Sequence, residues 1–118
     1  RRIERANEVT AVEYNLLKKI RENLIKEFNK FLNNNLLLMP TVTIPPPLFE
    51  KCKESKFYDE ANLVSLRNTT LANYMNGCSI SIPYFENKKP IGIMLNATTN
   101  EDDYLLRISS EIEKVLEK

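Results

Sequence analysis

Ser79 and Ser81 stand two residues apart in the alternating run Ser79-Ile80-Ser81-Ile82, so both hydroxyls leave the same face of a strand. A hydroxyl becomes a nucleophile only when a base reaches it, and the bases this sequence offers are lysines and carboxylates. By pattern those lie mostly on solvated faces, and the two serines read as polar positions filling a strand face. Four further serines, Cys52 and Cys78 complete the nucleophile candidates, none with an evident base. Asp102-Asp103 could bind a cation, but acids also belong in the first turn of a helix, against its dipole. Tyr84-Phe85 could hold an acyl or aryl group and serve equally well as core. Asn68-Thr69-Thr70 and Asn96-Ala97-Thr98 match the glycosylation sequon at a frequency an asparagine-rich chain gives by chance.

What is missing narrows the chemistry further. The chain contains no histidine, which removes Ser–His and Cys–His catalysis and every His-ligated metal site. No cofactor and no metal is expected. Cys52 and Cys78 are too far apart for a redox or zinc CxxC, and two cysteines make no disulfide framework. A reducing compartment follows as the expectation: the cytoplasm, with a mitochondrial or other organelle matrix as the alternative. Two glycines, Gly77 and Gly92, cannot build a phosphate cradle. The unbroken apolar run Leu36–Met39 is far short of a membrane span, so no membrane partner is expected. Seventeen basic against sixteen acidic residues leave +1, too weak a field for direct nucleic-acid binding. The opening, Arg1-Arg2-Ile3-Glu4-Arg5, has no Met and no apolar signal core, which suggests the interior of something longer.

These residues need elements to position them. At 118 residues, 42% hydrophobic and 28% charged, the chain has the profile of one globular unit with no internal boundary. Residues 8–32 predict one long amphipathic helix, its stripe running from Val9 and Val12 through Leu16, Ile20 and Leu24 to Phe28 and Phe31. Its basic run, Lys18 to Lys30, reads as a solvated face. Asn33–Asn35 stop it, and Leu36–Met39, ended by Pro40, suits a strand buried on both sides in a parallel or mixed sheet. Pro45-Pro46-Pro47 predicts a stiff extended surface loop. A broken helix spans residues 59–76: Asp59 caps a turn through Leu66, then Asn68 or Thr69 caps Leu71–Asn76, closed by Gly77. Ser79–Ile82 is a short strand ended by Pro83. A loop of roughly eight residues, with Glu86–Lys89 as a polar turn, leads to a strand over Ile91–Asn96 in which Gly92 admits a close neighbour. Thr99 and Asp102 have capping-box spacing, and Leu105, Ile108, Ile112 and Val115 form the apolar face of a last helix.

The order and spacing of four segments resemble the C-terminal part of the amidase signature family. Leu36–Thr41, after a long helix carrying Tyr14 and Arg21, is similar to an apolar strand ending in Pro-Thr. Leu66-Arg67-Asn68-Thr69 with Asn73, then Gly77–Pro83, resembles the family's "RNT…N…GCAISLP" stretch. Pro90–Leu95 is similar to its "PVGLML" strand, and Asp103, Leu105-Leu106 and Glu111 resemble its closing helix.

The resemblance implies an α/β fold, a mixed β-sheet flanked by α-helices, with residues 1–118 the C-terminal segment of a larger domain. It implies hydrolysis of a small-molecule carboxamide through a serine acyl-enzyme. The family's Ser, cis-Ser and Lys lie in an upstream Gly/Ser-rich region with no counterpart here, so no catalytic residue is assigned. The partner called for is that missing N-terminal catalytic part, and this chain alone is expected to be inactive. Thr41, Asn68, Thr69 and Asn73, near the strand end and the helix break, are the expected substrate contacts; turn and cap hydrogen bonding is their plainer role. Tyr84 and Lys89 stand where the family often has glycine, so its substrate class does not transfer. One alternative is the glutaminase subunit of a tRNA-dependent amidotransferase, which needs a partner subunit. Leu66 stands where that glutaminase usually has an acid. A second alternative is a non-enzymatic interaction module using the triple proline and the first helix.

Overall fold

The computed structural model describes residues 4–87 and 89–116. The first three residues of the opening run Arg1–Arg5, and Lys88 of the expected polar turn, lie outside the described residues.

Thr10 and Glu13 start the first long element. The Thr10 hydroxyl accepts from the Glu13 N–H at 3.2 Å, and the Glu13 carboxylate accepts from the Thr10 N–H at 2.8 Å, a complete capping box. Helix α1 then runs Ala11–Leu32, after a 3-10 turn over Glu4–Glu8. It ends at Asn33, which takes the left-handed conformation at φ 45° and donates its N–H to the Asn29 carbonyl. The capping bonds from Thr10 hold the Glu13 carboxyl below its ordinary range. A lowered carboxyl stabilises the fold above its unfolded pKa and loses that contribution as pH falls through the lowered value. Glu13→Gln should therefore quicken amide exchange at Ala11–Glu13 near neutrality, and the gap from the parent should close in acid.

Three strands follow: β1 (Leu37–Pro40), β2 (Cys78–Glu86) and β3 (Lys89–Ala97). The sheet order is β1-β3-β2 and both pairings are antiparallel, with Leu38 opposite Leu95 and Ile82 opposite Ile93. The expected α/β class holds. Within the described residues, however, the sheet is antiparallel throughout and β1 is an edge. Its burial alternates and Leu38 is 61% exposed, which corrects the expectation of a strand buried on both sides.

Pro83 does not end its strand. β2 continues to Glu86, which pairs with Lys89, so a two-residue connection replaces the expected eight-residue loop. The reason is positional. Thr41 donates its N–H to the Gly92 carbonyl at 2.8 Å, which turns the even-numbered groups of β3 toward β1 and the odd-numbered ones toward β2. On β2 the odd residues, Pro83 included, then face outward, where a missing N–H costs no ladder bond. Asn87, at φ 49°, supplies the left-handed turn residue such a hairpin needs.

Helix α2 spans Ser55–Leu66, after a 3-10 turn at Lys51–Lys53, so Asp59 lies inside a helix rather than capping one. Helix α3 spans Thr70–Met75, and Thr69 precedes it without a capping side-chain bond. Asn76, not Gly77, takes the left-handed position at its end, with φ 52°. Gly77 is required for another reason: a Cβ there would run into the Ala97 carbonyl. The prolines 45–47 lie in an exposed segment outside helix and strand, as expected.

Helix α4 spans Asp102–Leu116 and covers one face of β2 and β3. Its inner side carries Leu105 and Ser109 with Ile112 and Leu116, packed with Ile82, Leu95 and Ala97. Val115 is 68% exposed, one position off that face. The expected capping box at Thr99 does not form: the helix starts at Asp102, after Glu101, and the Thr99 hydroxyl instead donates to the Asn76 carbonyl at 2.6 Å.

Only seven apolar residues are buried among the described residues, a small core for a chain of this length. Most of the α1 stripe is uncovered: Val12 is 79% and Phe31 75% exposed, and only Leu32 at the end of the helix is buried. The molecule is a slab of 53 × 43 × 18 Å.

Candidate functional site

The polar residues gather at the C-terminal end of β1. Gly92 sits in the central strand and carries no side chain, which lets hydroxyls from the two outer strands approach one another over it. Thr41 Oγ1 and Ser81 Oγ lie 2.5 Å apart, and a Cβ on Gly92 would strike both. The backbone at Thr41 is fixed by its bond to Gly92, so the pair is held from below as well as from the sides.

Asn68 comes to the same place from the break between α2 and α3. Its Nδ2 donates to the Pro40 carbonyl at 2.7 Å, pinning that break to the strand end. Thr69 is adjacent in sequence but turns away: its hydroxyl donates to the Leu66 carbonyl at 3.1 Å, joined there by Thr70 at 2.6 Å. The two threonines thus satisfy the terminal carbonyl of α2.

Asn73 lies on α3, where its carbonyl accepts from Arg21 Nη2 at 3.1 Å while Arg21 Nε donates to the Tyr74 carbonyl at 2.9 Å. Of the four expected contacts, Thr41 and Asn68 converge on the end of β1, the Thr69 hydroxyl bonds to Leu66, and Asn73 lies on α3 with its main-chain carbonyl bonded to Arg21. Turn and cap bonding, the plainer role, describes Thr69 well.

Two contacts of this region are not readable from the sequence. Arg21 falls on a face that pattern marks as solvated, yet its guanidinium closes the negative end of α3 and ties it to α1. No local pattern announces a bond across 52 residues. Ser81, for which a lysine is the partner chemistry would ask for, meets a threonine instead. The clue is Gly92, the one strand position that admits a close neighbour; that neighbour is a pair of hydroxyls.

Chemically, the pair can donate to and accept from a polar group. It lacks a base: among the described residues neither hydroxyl bonds to a lysine, a carboxylate or a cysteine. Cys78 is free, its Sγ directed at the Thr98 carbonyl at 3.5 Å, and burial together with the nearby Asp102 carboxylate pushes its thiol up, away from the nucleophilic thiolate. Asn96, fully buried on β3, donates to the Leu37 carbonyl at 3.2 Å, while its own Oδ1 finds no partner among the described residues. Among the described residues no three metal-ligating side chains cluster, and no helix is long and apolar enough to cross a membrane.

The larger hollow lies elsewhere. A cleft of about 1070 Å³ opens between α1, α2 and α3, walled by Leu17, Leu24, Leu63, Leu71 and Tyr74, with Arg67 among its polar residues. A smaller one of about 360 Å³ lies between Asn34–Leu36 and Tyr104.

A family model described as "Amidase" matches residues 1–106. The chain is 26% identical over 118 residues to a 2-amino-5-chloromuconic acid deaminase of Comamonas testosteroni, covering 98% of this chain and 26% of that protein. It is 34% identical over 103 residues to a subunit of the glutamyl-tRNA(Gln) amidotransferase of Sulfurisphaera tokodaii, covering 86% of this chain and 20% of that protein. The chain therefore spans about a quarter to a fifth of the length of these relatives.

Proposed function

This chain belongs to the amidase family, and from that premise we propose that it is the C-terminal section of a larger amidase domain. The whole hydrolyses a small-molecule carboxamide through a serine acyl-enzyme whose Ser, cis-Ser and Lys lie outside these residues. This section supplies structure and part of the pocket wall, and is inactive by itself.

The observation that carries the proposal is uncovered surface. A compact protein of 13.7 kDa exposes roughly 6600 Å² by the usual size scaling, and this chain exposes 9733 Å². Much of the exposed apolar surface lies on α1. Such a surface needs a partner of matching chemistry, and the missing part of the same domain provides one. Ser81 and Thr41 bond to one another and, among the described residues, to no base, which supports placing the catalytic groups there.

Labelling the complete enzyme with a fluorophosphonate tests the assignment. Peptide mapping should place the label outside residues 1–118; stoichiometric labelling of Ser79 or Ser81 contradicts it. Thr41 and Asn68 are the wall residues we assign to substrate, with Thr69 and Asn73 flanking them. Thr41→Val keeps the shape and removes a hydroxyl worth roughly 1 kcal/mol as a hydrogen-bond partner. In the complete enzyme it should raise KM on the order of fivefold with little change in kcat. An unchanged KM would remove Thr41 from the wall.

A second reading is supported by the 34% identity to the amidotransferase relative: the domain releases ammonia from glutamine for a partner subunit. Glutamine-dependent ammonia release by the complete enzyme distinguishes it. A non-enzymatic module, the remaining alternative, predicts neither label nor turnover. We also propose, from the two cysteines among these 118 residues, a reducing compartment, the cytoplasm or an organelle matrix.

A further inference from the structure

Gly92, Met94 and Asn96 share the face of β3 turned away from α4, whose cluster takes Ile82, Leu95 and Ala97 from the other face. Along the first face Met94 and Asn96 are buried, Gly92 is half-buried, and Ser81, paired opposite Met94, is exposed. The open end of that face is the end that holds the hydroxyls. Thr41 directly follows β1 and is tied there by the N–H it donates to the Gly92 carbonyl. That bond fixes its backbone and leaves its side chain a choice of staggered positions. Ser81 Oγ, 2.5 Å from Thr41 Oγ1, selects one of them, and Gly92 leaves room for the selection.

We infer that Ser81 is a positioning residue for substrate binding: it holds the Thr41 hydroxyl over Gly92, at the open end of this face, and acts on substrate through Thr41 rather than as a nucleophile. Each hydroxyl carries one proton. Their mutual bond uses one and leaves one, so the pair donates a single hydrogen bond to a substrate oxygen whichever of the two is the donor within it. A Thr41 side chain already held by Ser81 has given up its rotational freedom before substrate arrives, and binding does not lose that freedom a second time. The inference rests on the assignment of Thr41 to the pocket wall, and adds what sets the geometry of that wall.

Steady-state kinetics of the complete enzyme test it, on whichever of acetamide, hexanamide, benzamide and glutamine the parent hydrolyses fastest. Ser81→Ala should raise KM about three- to tenfold, the cost of one freed side chain, with kcat nearly unchanged and the urea midpoint of the parent. A residue that acts only through Thr41 adds nothing once that hydroxyl is gone. The double variant Thr41→Val/Ser81→Ala should therefore have the KM of Thr41→Val alone. KM losses that multiply in the double variant overturn the inference, because Ser81 would then act independently. A lowered urea midpoint with the parent KM overturns it too, by giving Ser81 a structural role. If Thr41→Val raises KM and Ser81→Ala does not, this inference alone falls and the wall assignment stands. An unchanged KM in Thr41→Val removes Thr41 from the wall and takes this inference with it, and hydrolysis of none of these amides sinks the proposed function and this inference together.

Discussion

Leu95→Ala should cost about 2–5 kcal/mol of stability, the largest loss expected from any single truncation in this chain. Leu95 is central in three respects. It lies on the middle strand, faces Leu38 on one side and Ile80 on the other, and is almost fully buried beneath α4. Its neighbours Ile82, Ala97 and Leu105 belong to the same small cluster, so a cavity there has few side chains able to collapse into it. Val115→Ala on the outer side of α4 is the control and should stay within about 0.5 kcal/mol. Urea unfolding of the complete enzyme reads both. A Leu95→Ala midpoint equal to that of the control would mean that the cluster is not the core.

Gly92→Ala should have the second largest effect, about 1–3 kcal/mol from overpacking, together with loss of the hydroxyl pair's geometry. The added Cβ meets Thr41 Oγ1 and Cβ and Ser81 Oγ, all of them side-chain atoms. That identity makes a specific cycle available: Thr41→Ala in the Gly92→Ala background removes the nearest atom and should recover part of the loss. Gly77→Ala offers no such relief, because its Cβ meets the Ala97 main-chain carbonyl, which no side-chain truncation can move. A Gly92→Ala protein as stable as its parent would show that the two hydroxyls do not close over that glycine.

Much of the fold is legible in residue spacing, and the failures have identifiable causes. The element order holds because the helical stripe of α1 and the alternation of Ser79–Ile82 are signals local to their own segments. Pro83 misleads because a proline ends a strand only when its missing N–H would have bonded a neighbour. Which edge it faces depends on the pairing of β1 with β3, through the bond from the distant Thr41 to Gly92, the residue opposite Pro83. Val115 and Leu116 are both apolar and both near a helical face; the packing of α4 against β2 selects the second.

Capping shows the same limit. Thr10–Glu13 and Thr99–Asp102 have identical spacing, yet only the first forms a box, because α4 begins at Asp102 with Glu101 before it, which leaves Thr99 outside the cap position and free to bond Asn76. At the site, Thr41 and Asn68 are legible through their position at a strand end and a helix break. Arg21 and the Thr41–Ser81 contact are not, since each joins segments 40 or more residues apart.

The exposed apolar face of α1 has the clearest consequence. The chain's radius of gyration, 17.6 Å, exceeds the roughly 13–14 Å expected of a self-contained chain of this length. If a larger domain covers that face, the 118-residue polypeptide produced by itself should self-associate, bind a hydrophobic dye and lose structure gradually on heating. The direct measurement is X-ray scattering with calorimetry on that polypeptide. A monodisperse monomer near roughly 13–14 Å with one sharp melting transition would contradict the account outright.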